Sequence, residues 1–369
     1  MLSIKTPLEY VSQPDVIEKA GKYIKKYGNK ALIIGSKTPL KAVGEGFYKS
    51  LEENNIEYTI KEFTGFPTLA AIDAYSRQAE EEKANLIIGI GGGKVIDTAK
   101  AAGSKSKLPV IAVPTIAATC AAWAAVSILY NEEGDFVTSF LNENSPRLIL
   151  ADTRIILTAP ARYTYAGIVD TLAKWYETVP NLAIAKDNIT LNIAVNGAKL
   201  AFDLLVKQGR KAVEEGQKNL ITEESVAVVD AIIYLAGFVG SFTEEDFYGG
   251  FAHPFYHAST RLPGTRFRLH GEKVAFGLLV QLVLEKQQED YITGTIREFD
   301  RYNLALTLKD IGIGENAKED LTIVAKRILK EFPGYTKLGI GTTAEEIVKA
   351  AFLADALVKK VLGNSSEVL

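Results

Sequence analysis

Cysteine occurs once in the 369 residues, histidine three times and proline only 12 times. A lone thiol, Cys120, cannot form an internal disulfide. So few prolines, beside 47% hydrophobic and 24% charged residues, exclude a disordered, collagen-like or low-complexity chain. Excess charge is missing too: 42 basic residues stand against 45 acidic ones, a net charge of −3 without any block of like sign. No nucleic-acid footprint is therefore expected, and a small molecule is the expected partner. The opening MLSIKTPLEY has neither an apolar core nor a small-residue cleavage site, which leads us to expect a cytoplasmic protein. One uncharged run, residues 108–130, could imitate a membrane span, but it holds Pro109, Pro114 and several Thr, Ser and Cys positions. It reads as buried interior, and no membrane partner is expected. No repeat of solenoid length appears, and the polar tail 363–367 reads as a frayed end.

What is present suggests two cores, because the chain exceeds one ordinary domain. In the first 150 residues, aliphatic runs at 31–35, 57–63, 86–90, 110–113 and 148–150 read as strands. Stretches 40–54 and 68–83 between them have helical spacing, and this βαβα order predicts a parallel sheet covered on both faces. Residues 127–130 and 136–140 predict a small hairpin around Asn131-Glu-Glu-Gly134. After Pro160 the texture changes. Segments 166–177, 189–208, 225–240, 272–286 and 344–361 repeat apolar residues every three or four positions. The expected fold is thus an α/β domain over 1–159 followed by an all-helical domain over 160–369.

The run Gly89-Ile-Gly91-Gly92-Gly93-Lys94 follows an aliphatic strand and opens into Val95-Ile-Asp97-Thr-Ala-Lys100, which suits a helix. Glycines let the backbone approach a phosphate, and a helix N-terminus supplies free N–H groups and the positive end of its dipole. A pyrophosphate would fit that corner. Neither G-x-G-x-x-G nor the P-loop pattern matches, since Lys94 and Val95 stand at the decisive positions. A plain strand-to-helix turn is the alternative.

All three histidines, His253, His257 and His270, fall in one short window. Two imidazoles plus one carboxylate leave an open coordination position, as catalytic zinc or a facial-triad iron requires. Asp170 stands out as the acid because its charge interrupts an apolar helical start, Gly167-Ile-Val-Asp170. Satisfied core imidazoles and a helix-capping aspartate are the alternatives.

Four motifs run in order along nearly the whole chain: Gly91-Gly-Gly-Lys-Val-Ile-Asp-Thr-Ala-Lys100, Pro114-Thr-Ile-Ala117, Gly167-Ile-Val-Asp-Thr-Leu-Ala-Lys-Trp-Tyr-Glu177 and His270-Gly-Glu-Lys-Val-Ala-Phe-Gly277. In them the sequence resembles the group III, metal-dependent ("iron-containing") alcohol dehydrogenase superfamily, in particular its glycerol dehydrogenase-like branch. The resemblance implies a dehydroquinate synthase-like architecture, with a dinucleotide-binding α/β domain and a helical domain that binds metal and substrate. It implies a zinc or iron ion held by Asp170, His253 and His270, with His257 near the nicotinamide as a candidate to carry the released proton. It also implies dinucleotide contacts from Gly91, Gly92, Gly93, Lys94, Asp97, Thr115, Thr119, Ser127 and Tyr130. The reaction so implied is reversible hydride transfer between a secondary alcohol and NAD or NADP, in a homo-oligomer.

Two departures sharpen the expectation. Glycerol dehydrogenases resemble this chain through Pro114-Thr-Ile-Ala but continue with an aspartate where Cys120 stands. The wording Ala118-Thr119-Cys120-Ala-Ala-Trp123 is similar to a bacterial branch of hydroxycarboxylate dehydrogenases. With Arg261, Arg266 and Arg268 available to clamp a carboxylate, and Trp123 as an apolar wall, a 2-hydroxy acid or 2-oxo acid is the expected substrate and a polyol such as glycerol the alternative. Cys120, Trp123 and Arg266 are the candidate substrate contacts. After the first strand, relatives that prefer NAD tend to place an acid, whereas this chain reads Gly35-Ser36-Lys37. A hydroxyl and an ammonium group suit a 2′-phosphate, so NADP is favoured over NAD. A lyase or synthase on the same scaffold is the rival reading, and a silent binding protein a third.

Overall fold

The computed structural model describes residues 4–242 and 249–363; most of the polar tail 363–367 lies outside the described residues. Two compact units divide the chain. One comprises residues 1–164 and 211–241, the other 165–210 and 242–369. The segment 211–241 thus groups with the α/β part, unlike a single cut near residue 160.

In the first unit, six parallel strands pair in the order β1-β8-β5-β4-β2-β3. They are β1 (Glu9–Gln13), β2 (Lys30–Gly35), β3 (Glu57–Glu62), β4 (Leu86–Gly91), β5 (Val110–Pro114) and β8 (Leu148–Asp152). The intervening β6 (Val126–Tyr130) and β7 (Phe136–Leu141) form the expected antiparallel hairpin. Strand side chains alternate between two cores. Ile33, Ile88, Ile90, Ile111 and Leu150 join Val16, Phe47 and Leu51 on one face, while Leu32, Ile34, Ile87 and Val110 join Ile72, Ala99 and Ala102 on the other. A sheet covered on both faces needs such continuous aliphatic strands, which is why periodicity found β2, β4, β5 and β8; the expected β3 is the other edge strand and has no buried residue. Periodicity missed β1, Glu-Tyr-Val-Ser-Gln, an edge strand whose residues are all only partly buried.

This order sets β2, β4 and β5 side by side, with Gly35 opposite Ile90 and Gly91 opposite Pro114. Their carboxyl ends therefore carry Ser36-Lys37, Gly91-Gly92-Gly93 and Thr115 to one edge, the place where open parallel sheets bind ligands. The uncharged run 108–130 is β5, a loop and β6, buried along β5 and partly buried elsewhere, with no residue exposed. The stretch 225–240 is not one regular helix. It runs as Glu223–Asp230, a wider π turn over Ala231–Leu235, and Ala236–Gly240.

Among the described residues, the second unit contains helices and no strand. Helices Ala252–Ser259 and His270–Leu284 pack on each other, and Ala344–Gly363 packs on the latter. Helices Glu289–Asp300 and Ala317–Glu331 were not legible as separate elements. Helix Ile189–Gly216 is long and apolar enough, by length and composition, to cross a membrane. Its Leu191 and Val195 nevertheless form a buried cluster with Trp175, Val179 and Leu182.

Candidate metal and dinucleotide sites

Asp170 lies on helix Ala161–Thr178, His253 on helix Ala252–Ser259, and His270 opens helix His270–Leu284. Each supplies one donor atom, and the three atoms lie within 4.8 Å of one another. Asp170 Oδ1 is 2.8 Å from His270 Nε2 and 3.3 Å from His253 Nε2. The carboxylate is 2% exposed, so it has no water to stabilise its charge. Burial works to raise its pKa, but His270 and His253 outweigh that and hold it well below the usual carboxylate range. For His253 burial works downward, yet Glu177 and Asp170 outweigh it and hold the ring at about 9. His270 goes the other way, because burial prevails over the attraction of Asp170. In the metal-free protein the proton thus sits on His253, between two carboxylates, where a divalent cation would replace it. Two imidazole nitrogens and a carboxylate oxygen converging on one point are a donor set that suits zinc or iron(II).

Glu177, which the sequence reading did not single out, completes the cluster. It stands seven residues after Asp170, two turns along the same helix face. Its carboxylate is fully buried. Oε2 lies 2.5 Å from His253 Nδ1, and Oε1 accepts from the His253 backbone N–H at 3.0 Å. The i, i+7 spacing in Asp170-Thr-Leu-Ala-Lys-Trp-Tyr-Glu177 was the signal available.

His257 is not in the cluster. One turn beyond His253, its ring stacks on Phe332 at 5.4 Å and 17°. Burial, then the charges of His253 and His270, push its pKa well below the usual histidine value, so it is neutral. Arg261 pairs with Glu331 at 2.8 Å, Arg266 is half-buried and Arg268 exposed.

The glycine turn lies in the first unit. Gly91 ends β4 and accepts from the Thr115 N–H at 3.2 Å; Gly92 then opens helix Gly93–Ser106 with no side-chain cap. The first amides of that helix are left without helical partners. A cleft faces them, lined by Gly91, Gly92, Gly93, Ile116, Thr119 and Ala121 among others. A Cβ built on Gly93 would enter this cradle 3.5 Å from Ala121 Cβ and 3.8 Å from Thr119 Oγ1. The space and the free amides suit a phosphate. Lys94 is exposed, its ammonium 4.0 Å from the Phe66 ring centre, and Tyr130 packs on the same ring. Ser36 caps helix Lys37–Ala42 through its backbone only, and Lys37 is exposed.

Asp97 and Ser127 turn inward instead. Asp97 pairs with Lys100 at 2.9 Å and accepts from the Ile128 N–H at 3.1 Å, while Ser127 Oγ donates to the Asp97 carbonyl at 2.8 Å. The Lys100 ammonium donates to the carbonyls of Ala121, Ala124 and Val126 at 2.7, 3.0 and 2.5 Å. These three side chains tie residues 121–128 to the helix behind the glycine turn. Trp123 likewise packs inside the unit: it is 6% exposed, lies between Tyr10 and Tyr234, and donates from Nε1 to Ser241 Oγ. Cys120 is half-buried, three residues earlier.

Residues 7–153 match the family described as iron-containing alcohol dehydrogenase. A glycerol dehydrogenase of Escherichia coli O6:H1 is 32% identical over 368 residues, 97% of this chain and 98% of that protein. The chain belongs to the iron-containing alcohol dehydrogenase family. Hydroxycarboxylate dehydrogenase A of Escherichia coli K12 is 36% identical over 270 residues, 73% of this chain and 74% of the other. The crystal structure of glycerol dehydrogenase from Schizosaccharomyces pombe superposes with a TM-score of 0.85 at 26% identity, covering 99% of this chain and 93% of that one. As an iron-containing alcohol dehydrogenase the chain is an oxidoreductase that acts on an alcohol, and a divalent metal and a nicotinamide cofactor go with the family.

Proposed function

We propose that this alcohol dehydrogenase oxidises the secondary hydroxyl of a small polyol of the glycerol type, using a divalent metal and NADP in preference to NAD. The metal requirement rests on one observation, the convergence of Asp170, His253 and His270 within 4.8 Å. These three residues would hold the ion. Bound there, a divalent ion supplies Lewis acidity toward an alcohol oxygen. The amides of Gly92 and Gly93 and the open end of helix Gly93–Ser106 would bind the pyrophosphate, and Ser36 with Lys37 would favour a 2′-phosphate. His257 is the candidate for the released proton on the resemblance alone, since burial and nearby positive charge make its ring a weak base. Glycerol comes first because full-length relatives carry the glycerol dehydrogenase name.

A 2-hydroxy acid with its 2-oxo acid partner is the second reading. It is favoured by Cys120, which offers no carboxylate to a polyol hydroxyl, and by the likeness to hydroxycarboxylate dehydrogenase A. Trp123, packed inside its own unit, lends that reading no support.

Both readings are tested on metal-analysed protein. Stripping with a chelator is expected to abolish turnover and zinc or iron(II) to restore it; full turnover without metal overturns the proposal. Assayed side by side with each nicotinamide, glycerol is expected to give the higher kcat/KM. Preference for 2-oxo acids selects the second reading, and preference for NAD removes the role given to Lys37. A separate expectation concerns the cradle. Gly93→Ala leaves the melting temperature unchanged because its methyl has room, but raises the dinucleotide Kd by about tenfold or more, a loss of ~1.4 kcal/mol. Calorimetric titration of both proteins checks it.

A further inference from the structure

We infer that Glu177 is a positioning residue for the metal: its two oxygens fix the tautomer and ring angle of His253, and only a carboxylate can do both. This rests on the reading that Asp170, His253 and His270 hold a divalent ion. The His253 ring lies between two acids on one helix face, with Nδ1 2.5 Å from Glu177 Oε2 and Nε2 3.3 Å from Asp170 Oδ1. With metal bound, a ring nitrogen that faces the ion has no proton, so the remaining proton must lie on Nδ1, where Glu177 accepts it. The other Glu177 oxygen accepts from the His253 backbone N–H at 3.0 Å, which ties the start of helix Ala252–Ser259 to the same carboxylate. Both contacts are made by donors, so the residue must offer two acceptors. Glutamine offers one acceptor and one NH2 group. Whichever way its amide turns, either the backbone N–H or the ring Nδ1 meets a donor. With the NH2 at Nδ1, the ring is driven to the opposite tautomer, with its proton toward the metal position.

The neighbouring chain makes room for this carboxylate. A Cβ on Gly250 would lie 2.3 Å from Glu177 Oε1 and 2.6 Å from its Cδ. Glycine at 250 is therefore what lets the acid reach His253. From the far side, the Asn181 amide donates to the Glu177 backbone carbonyl at 2.7 Å, and its Oδ1 accepts from the Gly249 N–H at 2.9 Å. Helix Ala161–Thr178 and the chain entering the His253 helix are thereby held in one register.

The test uses full-length protein and needs no turnover. Cobalt(II) and zinc affinities are measured by competition with a chromogenic chelator, and the ligand-field spectrum of the cobalt form is recorded. With only three histidines in the chain, nitrogen-15 labelling resolves the tautomer of each ring in the zinc form. Glu177→Gln is expected to bind either metal about 10- to 100-fold more weakly, the usual effect of removing the partner of a metal-bound histidine. The cobalt spectrum is expected to change and the Nδ1–H resonance of His253 in the zinc form to move upfield as it loses its carboxylate acceptor, with dinucleotide affinity unchanged. A residue that merely filled space would leave affinity, spectrum and the Nδ1–H resonance as they are, and that result overturns the inference. If wild-type protein binds no stoichiometric metal, the underlying reading fails instead. Gly250→Ala displaces the same carboxylate from outside and is expected to weaken metal binding in the same direction. Should Glu177→Gln fail to fold, undiminished metal affinity in Gly250→Ala overturns the inference.

Discussion

Asp170→Asn is expected to lower kcat/KM by more than about 100-fold, a loss beyond that usually seen for residues that only support a metal ligand. The change keeps size and shape but removes the one negative charge facing both Nε2 atoms, at 2.8 and 3.3 Å. An asparagine oxygen is a weaker donor than a carboxylate, and its NH2 group can turn toward the same point. At 2% exposure no water replaces the lost charge. Metal content is therefore expected to fall with activity. Dinucleotide affinity is expected to hold within about twofold, the scatter normal for independent sites, because the glycine turn belongs to the other compact unit. Metal analysis and cofactor titration on one preparation check this. Full turnover with normal metal content would remove Asp170 from the site.

Gly271→Ala is the second large effect. Glycine 271 follows His270, and a Cβ there would lie 2.1 Å from the carbonyl oxygen and 2.7 Å from the carbonyl carbon of Ala166. Ala166 is four residues, one turn, before Asp170. The methyl would meet backbone rather than a movable side chain, so two helices must separate just where they hold Asp170 and His270 at 2.8 Å. Overpacking of this sort costs about 1–3 kcal/mol, and the displacement is expected to weaken metal binding as well. Gly294 provides the control. It lies inside helix Glu289–Asp300 with nothing near its Cβ, and Gly294→Ala is expected to stabilise by about 0.5–1 kcal/mol at no cost in metal affinity. Melting curves and metal competition on the two variants separate the cases; equal behaviour would refute the close-contact argument.

The sheet was legible where strands are buried on both sides, since Ala31-Leu-Ile-Ile and Leu86-Ile-Ile leave no reading but an interior one. β1 was hidden because an edge strand with polar ends has no such run. Helix Glu289–Asp300 buries Ile292, Thr295, Ile296 and Phe299 at the spacing of an amphipathic helix, but the buried Thr295 and many charges blurred the stripe. Around the metal, Asp170 and the histidine window stood out because charge and imidazole are scarce where they occur. Composition could not rank His253 against His257, one helical turn apart; the fold places only His253 beside Asp170. Glu177 went unmarked because an acid late in a helix resembles an ordinary solvated residue until its burial is known. Trp123, Asp97 and Ser127 show the converse problem. Their residue types suit a ligand site and an interior equally, and only the contacts distinguish the two.

Besides its pair with Asp97, the Lys100 ammonium grips main-chain oxygens at 121, 124 and 126. A clamp of that kind is blind to the side chains of the residues it restrains, because every main-chain carbonyl offers the same acceptor. Side chains at 118–120 can accordingly be exchanged without touching any of these three hydrogen bonds.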